Sequence, residues 1–574
     1  MTDSDSSIVE QLQKAIHAAI TDLFPEVIFE LADIPVVHPK ELHRGDYTTT
    51  VSLNLGKQLK KNPMEIAESL KKALSKQLAV GSFEKVEVVA PGFINFWLSH
   101  DFLITQMGSI NDSQKIPDKN GKKIIIEFSS PNIAKPFTIG HLRSTIIGAA
   151  LANMYEFLGW TVFRDNHLGD WGTQFGKQIY AIKQWGNESD IANSERPVKQ
   201  LVDLYVKFHT EAEKNPALED EGRLWFKKLE DGDSEARNLW QKCIDWSWKE
   251  FAAIYNRLGV TFSENDGRGY GESYFEDKMD SVIDELKRKK IARVDNNALL
   301  VFFADEKFPP LMIQKSDGAT LYATRDLATD AFRKKHYGAD IVIVNEVGAE
   351  QALYFRQLFE TEYMLGWYRP GQRVHVKHGL YRFKDTKMST RKGNVVWLDM
   401  VLQEAFDRVK MLVGERLSES VVWDVAIGAI KWQDLRRETT GDIVFDYDTM
   451  LALEGNSGPY VQYTFARCQS ILRKSEQNFQ FSIRNFQSNF KLNNEELVIL
   501  RLLYRFPEVV ASAAQTYSPH LVCDFLFDLA QAFNGFYHKH TILPIEFRLH
   551  LTSAVGQTIK SGLHLLGIKS PEKM

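Results

Sequence analysis

The 574-residue chain is too long for a single hydrophobic core, and its length indicates roughly three or four domains. Its hydrophobic content of 44% and charged content of 25% are those of an ordinary globular protein. No apolar run approaches the roughly 20 residues that cross a bilayer, and the polar start MTDSDSS is not a signal peptide. The net charge of −5 is acidic, so composition alone does not indicate a nucleic-acid binder.

The three cysteines, Cys243, Cys468 and Cys523, are scattered along the chain and odd in number. None belongs to a C-x-x-C pair, which argues against a zinc site and against a disulfide framework. Free thiols fit a reducing compartment, so we expect a cytoplasmic protein. An acidic average is still compatible with a local basic surface for RNA, because charge can be segregated by face.

Residues 1–112 predict a small α+β domain at the start of the chain. Ile8, Leu12, Ile16 and Ile20 recur at helical spacing and form one amphipathic stripe. Residues 85–98 alternate as strands around the Pro91-Gly92 pair. A polar stretch then separates this domain from the next one.

Residues 120–400 predict a Rossmann-like α/β domain. Strand patterns at residues 124–128, 339–345 and 374–378 alternate with helical patterns, as in a doubly wound parallel sheet. A charged helical insertion interrupts the domain at about residues 186–262, and its tryptophans are more typical of a core than of base stacking. We expect a helical connector at residues 401–454 and a helical domain at residues 455–574. The predicted fold class is α/β multidomain, with an N-terminal α+β domain and a C-terminal all-α bundle.

The segment EFSSPNIAKPFTIGHLRSTIIG at residues 127–148 predicts a nucleotide site between a strand and a helix. Gly140 lacks a side chain where the helix begins, so a flat group can pack on the backbone. The free N–H groups and the positive end of the helix dipole suit phosphate. His141 lies in the first turn, where its imidazole is placed to donate to a phosphate oxygen. The motif is neither a Walker loop nor G-x-G-x-x-G.

A second motif, KMSTRKG at residues 387–393, is cationic and ends in glycine. Such a loop can close over a polyphosphate and stabilise the charge that develops on leaving pyrophosphate. An isolated motif of this kind is more often a solvated charge run. Its pairing with the first motif, in this order, favours the nucleotide interpretation.

Together the two motifs resemble the His-x-Gly-His and Lys-Met-Ser-Lys-Ser signatures of class I aminoacyl-tRNA synthetases, and specifically the arginyl-tRNA synthetases. That family reads SPNIAKPFHxGHLRST almost letter for letter, and Thr138 stands where it has its first histidine. Thr390 replaces the second lysine of the loop, and in such members a lysine at the position of Lys135 is thought to compensate. The resemblance implies catalytic roles for a first set of residues: Lys135, Thr138, Gly140, His141, Lys387, Met388, Ser389 and Lys392.

An arginine substrate carries a planar guanidinium that needs acceptors, ideally carboxylates in bidentate geometry. Tyr322 and Asp326 lie at i, i+4 on one face of a predicted helix. The alternative for such an acid is an ion pair within the protein or a capping role. Tyr354, one helical turn from Gln351, stands where the family commonly has histidine. The resemblance implies that substrate is bound by Glu127, Ser129, Asn132, His167, Tyr322, Asp326 and Gln351.

The C-terminal helices resemble the anticodon-binding bundle of the same family. Aromatic and amide side chains on such a surface can stack on and read splayed bases, although aromatics at helical spacing are more often core. The N-terminal domain resembles the one that contacts the tRNA elbow in this family; a generic docking domain is the alternative. The resemblance implies tRNA binding by Tyr460, Gln462, Tyr463, Arg467, Asn534, Tyr537 and Met574.

The expected reaction is the activation of L-arginine by ATP and its transfer to tRNA(Arg), with tRNA required for activation itself. Mg²⁺ is expected to accompany ATP without a dedicated protein metal site. We expect a monomer without membrane association. Two alternatives remain open: another nucleotidyl-transferring enzyme with this motif, and a catalytically weakened or non-catalytic tRNA-binding paralogue, which Thr138 motivates.

Overall fold

The computed structural model describes residues 7–39, 41–78, 82–112, 119–383, 396–452, 455–475 and 491–574. The chain divides into two compact units, each assembled from segments that are distant in sequence. The first unit contains Met1–Lys115, Arg467–Pro507 and Asp528–Ile559. The second contains Ile116–Ala466, Glu508–Phe527 and Lys560–Met574.

The N-terminal part of the first unit is a three-stranded antiparallel sheet with helices, as the sequence predicts. Its strands are β1 (Tyr47–Thr49), β2 (Phe83–Val89) and β3 (Phe93–Leu98), in the order β1-β3-β2. The predicted stripe forms the first helix, in which Leu12, Ile16 and Ile20 are buried. The helices are α1 (Ile8–Leu23), α2 (Val51–Leu59), α3 (Pro63–Gln77) and α4 (His100–Asp112).

A four-stranded parallel sheet forms the centre of the second unit and confirms the predicted fold class. The order is β10-β9-β4-β5, from strands β4 (Lys123–Glu127), β5 (Thr161–Asp165), β9 (Val342–Gly348) and β10 (Arg373–His378). Ile125 of β4 is paired with Ile343 of β9 and Phe163 of β5, so the buried isoleucine run occupies the middle of the sheet.

One of the predicted strands is displaced along the chain. Residues 339–345 are expected to be extended, but β9 begins at Val342 and continues to Gly348. The side chain of Asp340 is 94% exposed, which fits a loop before the strand. The polar residues Asn345 and Glu346 are nevertheless buried in the strand. Asn345 faces the site described below, and the Glu346 carboxylate lies 2.8 Å from His378 Nδ1. A buried strand is predicted from a run of apolar residues, and these two polar residues interrupt that run. The sequence pattern therefore did not indicate that the strand continues to Gly348.

Helices cover this sheet and build the insertion. Helix α5 (Ile139–Phe157) follows β4, and α6 (Gln174–Trp185) follows β5. The predicted insertion is helical, with α7 (Glu188–Asn193), α8 (Pro197–Lys214), α9 (Ala217–Glu230) and α10 (Ser234–Leu258). After α11 (Met279–Arg288), the later helices of the domain are α12 (Tyr322–Tyr337) and α13 (Ala352–Met364).

A small antiparallel sheet between α11 and α12 was not predicted. Its strands are β6 (Ala292–Asp295), β7 (Ala298–Val301) and β8 (Leu311–Gln314), in the order β6-β7-β8. Asn296 and Asn297 connect the first two with φ of 47° and 64°. Two consecutive left-handed residues are typical of a type I′ hairpin, and asparagine tolerates that conformation better than most residues. The Asn-Asn pair was the available signal.

The predicted connector at residues 401–454 is not wholly helical. It contains α14 (Leu398–Val413), α15 (Glu419–Leu435) and α16 (Tyr447–Met450), but also β12 (Ile443–Phe445). This strand pairs in parallel with β11 (Tyr381–Phe383), which precedes the second motif. The remaining helices are α17 (Gly458–Lys474), α18 (Asn494–Leu503), α19 (Phe506–Gln515), α20 (His520–Lys539) and α21 (Glu546–Leu565). Among the described helices, none is both long enough and apolar enough to cross a bilayer.

Candidate active site

The turn between β4 and α5 is unusual in its backbone conformation. Ser129, Ser130 and Ala134 have φ of 75°, 46° and 58°, in the left-handed region that few non-glycine residues adopt. Such conformations persist only where surrounding contacts hold them, and they are concentrated at functional sites. The Ser129 hydroxyl lies 2.8 Å from both the Thr145 hydroxyl and the Tyr255 hydroxyl, which anchors the turn in the interior.

His141 is arranged as a neutral donor at the start of α5. Its Nδ1 accepts a hydrogen bond from the Thr138 N–H at 3.0 Å and lies 3.2 Å from the Thr138 hydroxyl. Burial, together with nearby His378 and Lys135, lowers the His141 pKa to about 4. Because Nδ1 is an acceptor, the single proton of the neutral ring is on Nε2. The imidazole therefore offers one N–H near the helix N-terminus, as the sequence predicts.

Gly140 keeps one side of this helix start open. A Cβ at Gly140 would meet only the Thr138 hydroxyl, at 3.3 Å, so a side chain there would project away from the protein. Lys135 is exposed on the preceding turn. The first N–H groups of the 19-residue helix are thus accessible beside one lysine and one neutral imidazole, which suits a phosphate chain.

The second motif itself, with Lys387, Met388, Ser389 and Lys392, lies outside the described residues. The segment that follows it is paired with the turn before α5. The Ile139 N–H donates to the Val396 carbonyl at 3.1 Å, and the Leu398 N–H donates to the Phe137 carbonyl at 3.0 Å. The residues next to the second motif therefore lie directly beside Thr138, as a nucleotide site made from both motifs requires.

Six of the seven predicted substrate-binding residues line one cavity of about 220 Å³. The cavity lies at the carboxyl ends of β4 and β9, where ligands bind in open α/β sheets. The predicted residues on its walls come from four parts of the second unit: β4 and its turn, the loop after β5, helix α12 and the turn before α13. The six residues are Glu127, Asn132, His167, Tyr322, Asp326 and Gln351.

Ser129 is not on the cavity wall. Its hydroxyl is held in the interior by Thr145 and Tyr255, as described above, and Ser130 lines the cavity in its place. The structure does not bring the Ser129 side chain to this cavity, and its substrate contact stays a prediction. Both serines have a left-handed φ, so the alternation of side chains along β4 does not continue into this turn.

Glu127 is an ionised member of the cavity wall. Its carboxylate forms an ion pair with the Arg333 guanidinium and accepts a hydrogen bond from Asn345 Nδ2 at 2.9 Å. Burial opposes ionisation, but Arg333 and His167 outweigh it and hold the Glu127 pKa at about 2. The predicted alternative for a buried acid, an ion pair within the protein, thus applies to Glu127 while it also faces the cavity.

Asp326 has no arginine or lysine partner among the described contacts. One of its oxygens accepts a hydrogen bond from the Tyr354 hydroxyl, and the other lies 3.9 Å from His167 Nε2. Burial raises the Asp326 pKa, and His167 and the Tyr354 hydrogen bond partly offset this effect. This carboxylate is partly buried, with 26% of its side chain exposed, and its described partners are a phenol and an imidazole, so it is well suited to a cationic ligand.

Several cavity residues were missed by sequence reasoning. Glu272 lines the cavity beside Asp326, and its carboxylate lies 3.6 Å from the Arg325 guanidinium. Asp330 and Arg333 also face the cavity from α12. Arg333 is 2% exposed and Asp330 2% exposed, so these are buried charges. Asp330 and Arg333 lie four and seven residues after Asp326, on the same face of α12. That spacing was the available signal, because the predicted substrate face of the helix continues through them.

A buried charge network supports this wall from behind. Arg333 contacts Glu127, Asp165 at 2.7 Å and Asp330 at 3.2 Å. Arg373 of β10 contacts Asp330 at 2.6 Å and Glu362 at 2.6 Å. Burial by itself disfavours charge, but the facing acids raise the pKa of both arginines. Across the part of the chain that the structure describes, no group of three or more His, Cys, Asp or Glu side chains is arranged to hold a metal ion.

The structure separates the predicted tRNA-binding residues. Arg467, Asn534 and Tyr537 meet in the first unit, where the Arg467 guanidinium donates to the Asn534 amide oxygen and lies 4.9 Å from the Tyr537 ring centroid. Tyr463 and Met574 line a cavity of about 320 Å³ in the second unit. Tyr460, also in the second unit, packs against Phe527 at 5.7 Å between ring centroids.

Gln462 is a buried structural residue, and its predicted contact with tRNA is wrong. It is 0% exposed, and its Nε2 donates to the backbone carbonyls of Asp424 at 3.0 Å and Lys569 at 2.8 Å. The amide joins α15 to the segment after α21. A glutamine side chain on a helix can donate to distant backbone carbonyls as readily as it can hydrogen-bond a base. The local sequence does not distinguish these two roles.

Comparisons with known proteins agree with this geometry. The family model for "tRNA synthetases class I (R), catalytic domain" matches residues 104–447. An arginine–tRNA ligase from Clostridium perfringens is 42% identical over 571 residues, which cover 96% of this chain and 97% of that protein. The chain belongs to the class I arginyl-tRNA synthetases. Two further family models match at its ends, the arginyl-tRNA synthetase N-terminal domain at residues 10–98 and the DALR anticodon-binding domain at residues 461–574.

Other arginyl-tRNA synthetases resemble the chain over its whole length. The arginine–tRNA ligase of Clostridium acetobutylicum is 38% identical, with full coverage of both sequences. The crystal structure of arginyl-tRNA synthetase from Plasmodium falciparum has a TM-score of 0.82 at 26% identity, and each chain covers 99% of the other. The arrangement of an N-terminal domain, a parallel-sheet domain and a C-terminal helical domain is therefore that of an arginyl-tRNA synthetase.

Proposed function

We propose that this protein joins L-arginine to the 3′ end of tRNA(Arg) in two ATP-driven steps. The observation that carries the proposal is the acidic cavity beside the N-terminus of α5. In it Asp326 and Glu272 face a space of about 220 Å³. Arg333 also lines this space, but its guanidinium is paired with Glu127, Asp165 and Asp330. Membership in the arginyl-tRNA synthetases supports the same amino acid.

The cavity can hold the two cationic ends of arginine. Asp326 and Glu272, with the Tyr322 hydroxyl and Gln351, offer oxygen acceptors for the guanidinium. Glu127 and Asn132 are near the turn that leads to α5 and are assigned to the α-ammonium group. This orientation directs the substrate carboxylate towards the helix N-terminus, where the nucleotide phosphates are expected.

In the first step, a carboxylate oxygen of arginine attacks the α-phosphorus of ATP. The new O–P bond gives arginyl-adenylate, and the bond to the β-phosphate breaks to release pyrophosphate. No covalent enzyme intermediate is needed, so catalysis rests on positioning and on stabilisation of developing charge. The His141 Nε2–H, the Lys135 ammonium and the first N–H groups of α5 are the donors assigned to that charge.

The second motif completes the phosphate site in this proposal. Lys387, Ser389 and Lys392 are assigned to the β- and γ-phosphates, with Met388 as a packing residue of the loop. The pairing of Val396 and Leu398 with the turn before α5 supports this assignment, because it keeps the adjoining segment beside the helix. ATP is taken as its magnesium complex, with the metal carried by the phosphates.

In the second step, the terminal ribose hydroxyl of tRNA attacks the carbonyl carbon of arginyl-adenylate. The arginyl ester forms and AMP leaves. Binding of the anticodon is assigned to Tyr460, Tyr463, Arg467, Asn534, Tyr537 and Met574. The match of residues 461–574 to an anticodon-binding domain supports the region, and the exposed rings of Tyr463 and Tyr537 support base stacking.

The alternative function is a weakened or non-catalytic tRNA-binding paralogue, which Thr138 motivates. Thr138 supplies a hydroxyl and the backbone N–H that orients His141, so the substitution leaves the second histidine of the motif in place. The complete cavity also favours an active enzyme. If Thr138 limits the rate, Thr138→His should raise the rate of activation; an unchanged or lower rate means that the site is adapted to threonine.

The test is arginine-dependent exchange of labelled pyrophosphate into ATP, measured with and without cognate tRNA. Exchange with arginine and not with lysine or citrulline is the expected result. Absence of exchange from folded protein that still binds tRNA contradicts the enzyme assignment and favours the paralogue. Exchange driven by a different amino acid contradicts only the assignment of arginine.

The proposal includes a monomer in the cytoplasm. The three described cysteines are free and buried, a state that a reducing compartment preserves. Light scattering behind a sizing column should give the monomer mass of 65.8 kDa. A mass near twice that value contradicts the monomer, and exclusion from the cytosolic fraction on fractionation contradicts the compartment.

A further inference from the structure

Tyr354 makes the only described hydrogen bond to the Asp326 carboxylate. The Tyr354 hydroxyl donates to Asp326 Oδ2, from helix α13 to helix α12. His167 Nε2 is 3.9 Å from Oδ1, which is beyond hydrogen-bond distance. One oxygen of the carboxylate is thus held by the phenol, and the other is left for a ligand in the cavity.

The Tyr354 ring is itself fixed in position. Its centroid lies 4.8 Å from that of Tyr322 in an edge-to-face arrangement, and 5.4 Å from that of Phe355. All three rings line the cavity. The hydroxyl therefore approaches Asp326 from one direction, and the carboxylate plane is oriented before any ligand arrives.

We propose that Tyr354 is a specificity-determining positioning residue, whose hydroxyl keeps Asp326 as an oriented anion so that the cavity selects a cationic guanidinium over its neutral ureido isostere. The inference rests on the proposed function, because arginine is the guanidinium considered. The ureido isostere is citrulline, which has the same shape as arginine but presents a carbonyl oxygen where arginine has an N–H donor.

The charge selection follows from the two forms of the carboxyl group. An ionised carboxylate accepts from the guanidinium and repels the citrulline carbonyl oxygen, whereas a protonated carboxyl can donate to that oxygen. Burial raises the Asp326 pKa, and the Tyr354 hydrogen bond opposes that rise. Loss of the hydroxyl therefore increases the protonated fraction and reduces discrimination. Tyr354 itself stays a donor, because burial and Asp326 raise its own pKa.

Other charged groups around Asp326 act in both variants and do not distinguish them. Glu127 and Asp330 raise the Asp326 pKa, and the His167 imidazole lowers it. Glu272 lies on the same cavity, and Arg333 lines it from α12. Arg325, next to Asp326 in sequence, is engaged with Glu276 at 2.7 Å.

The test compares Tyr354→Phe with the wild type by equilibrium dialysis of labelled arginine, with citrulline as competitor, from mildly acid to mildly alkaline pH. Tyr354→Phe should weaken arginine binding about tenfold at acid pH and less at alkaline pH, because it removes a hydrogen bond to a charged group. The preference for arginine over citrulline should fall in parallel. Tyr363→Phe, on the same helix and outside the cavity, is the matched control and should change neither quantity.

Two results would overturn the inference. Unchanged arginine-to-citrulline selectivity in folded Tyr354→Phe contradicts it while leaving arginine recognition intact. A uniform loss of affinity at every pH, with selectivity preserved, assigns Tyr354 a packing role only. Tyr354→His retains a shorter N–H donor and should fall between the wild type and Tyr354→Phe, which tests the donor if the phenylalanine variant does not fold. If the wild type does not bind arginine at all, the proposed function fails first.

Discussion

The amino-acid cavity and the C-terminal helices differ in how the predicted residues behave. In the cavity, six of seven predicted side chains converge on one space. In the C-terminal helices, the predicted residues fall in separate places, and Gln462 is buried against backbone carbonyls. The difference is one of chemistry. A partly buried acid with no arginine or lysine among its described partners is uncommon and points to a ligand, whereas aromatic and amide side chains on a helix serve a core equally well.

The largest effect is expected at Asp326. If a change there does not affect the use of arginine, the contrast between the cavity and the C-terminal helices no longer holds. Asp326→Asn keeps the shape but removes the charge that faces the guanidinium. Loss of one member of this charge pair should lower kcat/KM for arginine by an amount equivalent to about 3–5 kcal/mol of transition-state stabilisation. The kcat/KM for ATP should change little. Exchange kinetics measure both. Asp340→Asn, whose side chain is 94% exposed, is the control and should stay within experimental error of the wild type.

Arg333 tests whether the wall of the cavity is structural as well as functional. Arg333→Met leaves Glu127, Asp165 and Asp330 without their shared partner, so we expect a loss of about 3–5 kcal/mol in the free energy of unfolding at neutral pH. Urea unfolding measures it. Arg369→Met, an arginine whose side chain is 80% exposed, should be nearly neutral.

The loss at Arg333 should also depend on pH, with a defined sign. The folded-state pKa of Glu127 is about 2, below its ordinary value of 4.5. The stability from this pair is therefore present above about pH 4.5 and is lost as pH falls through about 2. The difference between wild type and Arg333→Met should shrink over that acid range, and a difference that is constant with pH would show that Glu127 is not held by Arg333.

Gln462 tests whether a predicted residue of the C-terminal helices has a structural role instead of a role in tRNA binding. Gln462→Ala removes two hydrogen bonds and leaves a cavity where the amide was buried, so the free energy of unfolding should fall by about 2–3 kcal/mol. We expect no separate loss of tRNA affinity at temperatures where the variant is folded. A specific loss of tRNA binding without destabilisation would restore the sequence-based prediction.

Tyr537, by contrast with Gln462, is expected to contribute to tRNA affinity and little to stability, and its expected effect is the smallest. Its ring is 40% exposed, with the Arg467 guanidinium at 4.9 Å. Tyr537→Ala should weaken tRNA binding by about 1–3 kcal/mol if the ring stacks on a base, and should leave stability almost unchanged. Filter binding and thermal unfolding measure the two quantities. Tyr517→Ala, outside the proposed tRNA-binding residues, is the control for loss of a ring.

Local signals made the strand, turn and helix of the proposed nucleotide site predictable from sequence. The isoleucine run of β4, the turn at residues 129–132 and the glycine at the helix start are contiguous, so pattern and structure agree. His141 was predicted as a donor, and the acceptor role of its Nδ1 explains which nitrogen donates. The sequence did not reveal that the Thr138 backbone orients it, because that contact depends on the bend before α5.

Long-range contacts account for what the sequence did not reveal. Glu272 reaches the cavity after the insertion, and Tyr354 reaches Asp326 from a different helix. The strand β12 acquires its pairing from β11, about 60 residues earlier, so its own pattern was weak.

The buried charge network behind the cavity has a consequence for how such a protein can drift in sequence. Glu127, Asp165, Asp330, Arg333, Glu362 and Arg373 share their partners, so a change at one position leaves another charge uncompensated. The cost of several kcal/mol per unpaired ion is comparable to the whole stability of a domain. These six positions should therefore be inherited as a single unit, and a lineage that loses one member has to replace its neighbours almost simultaneously.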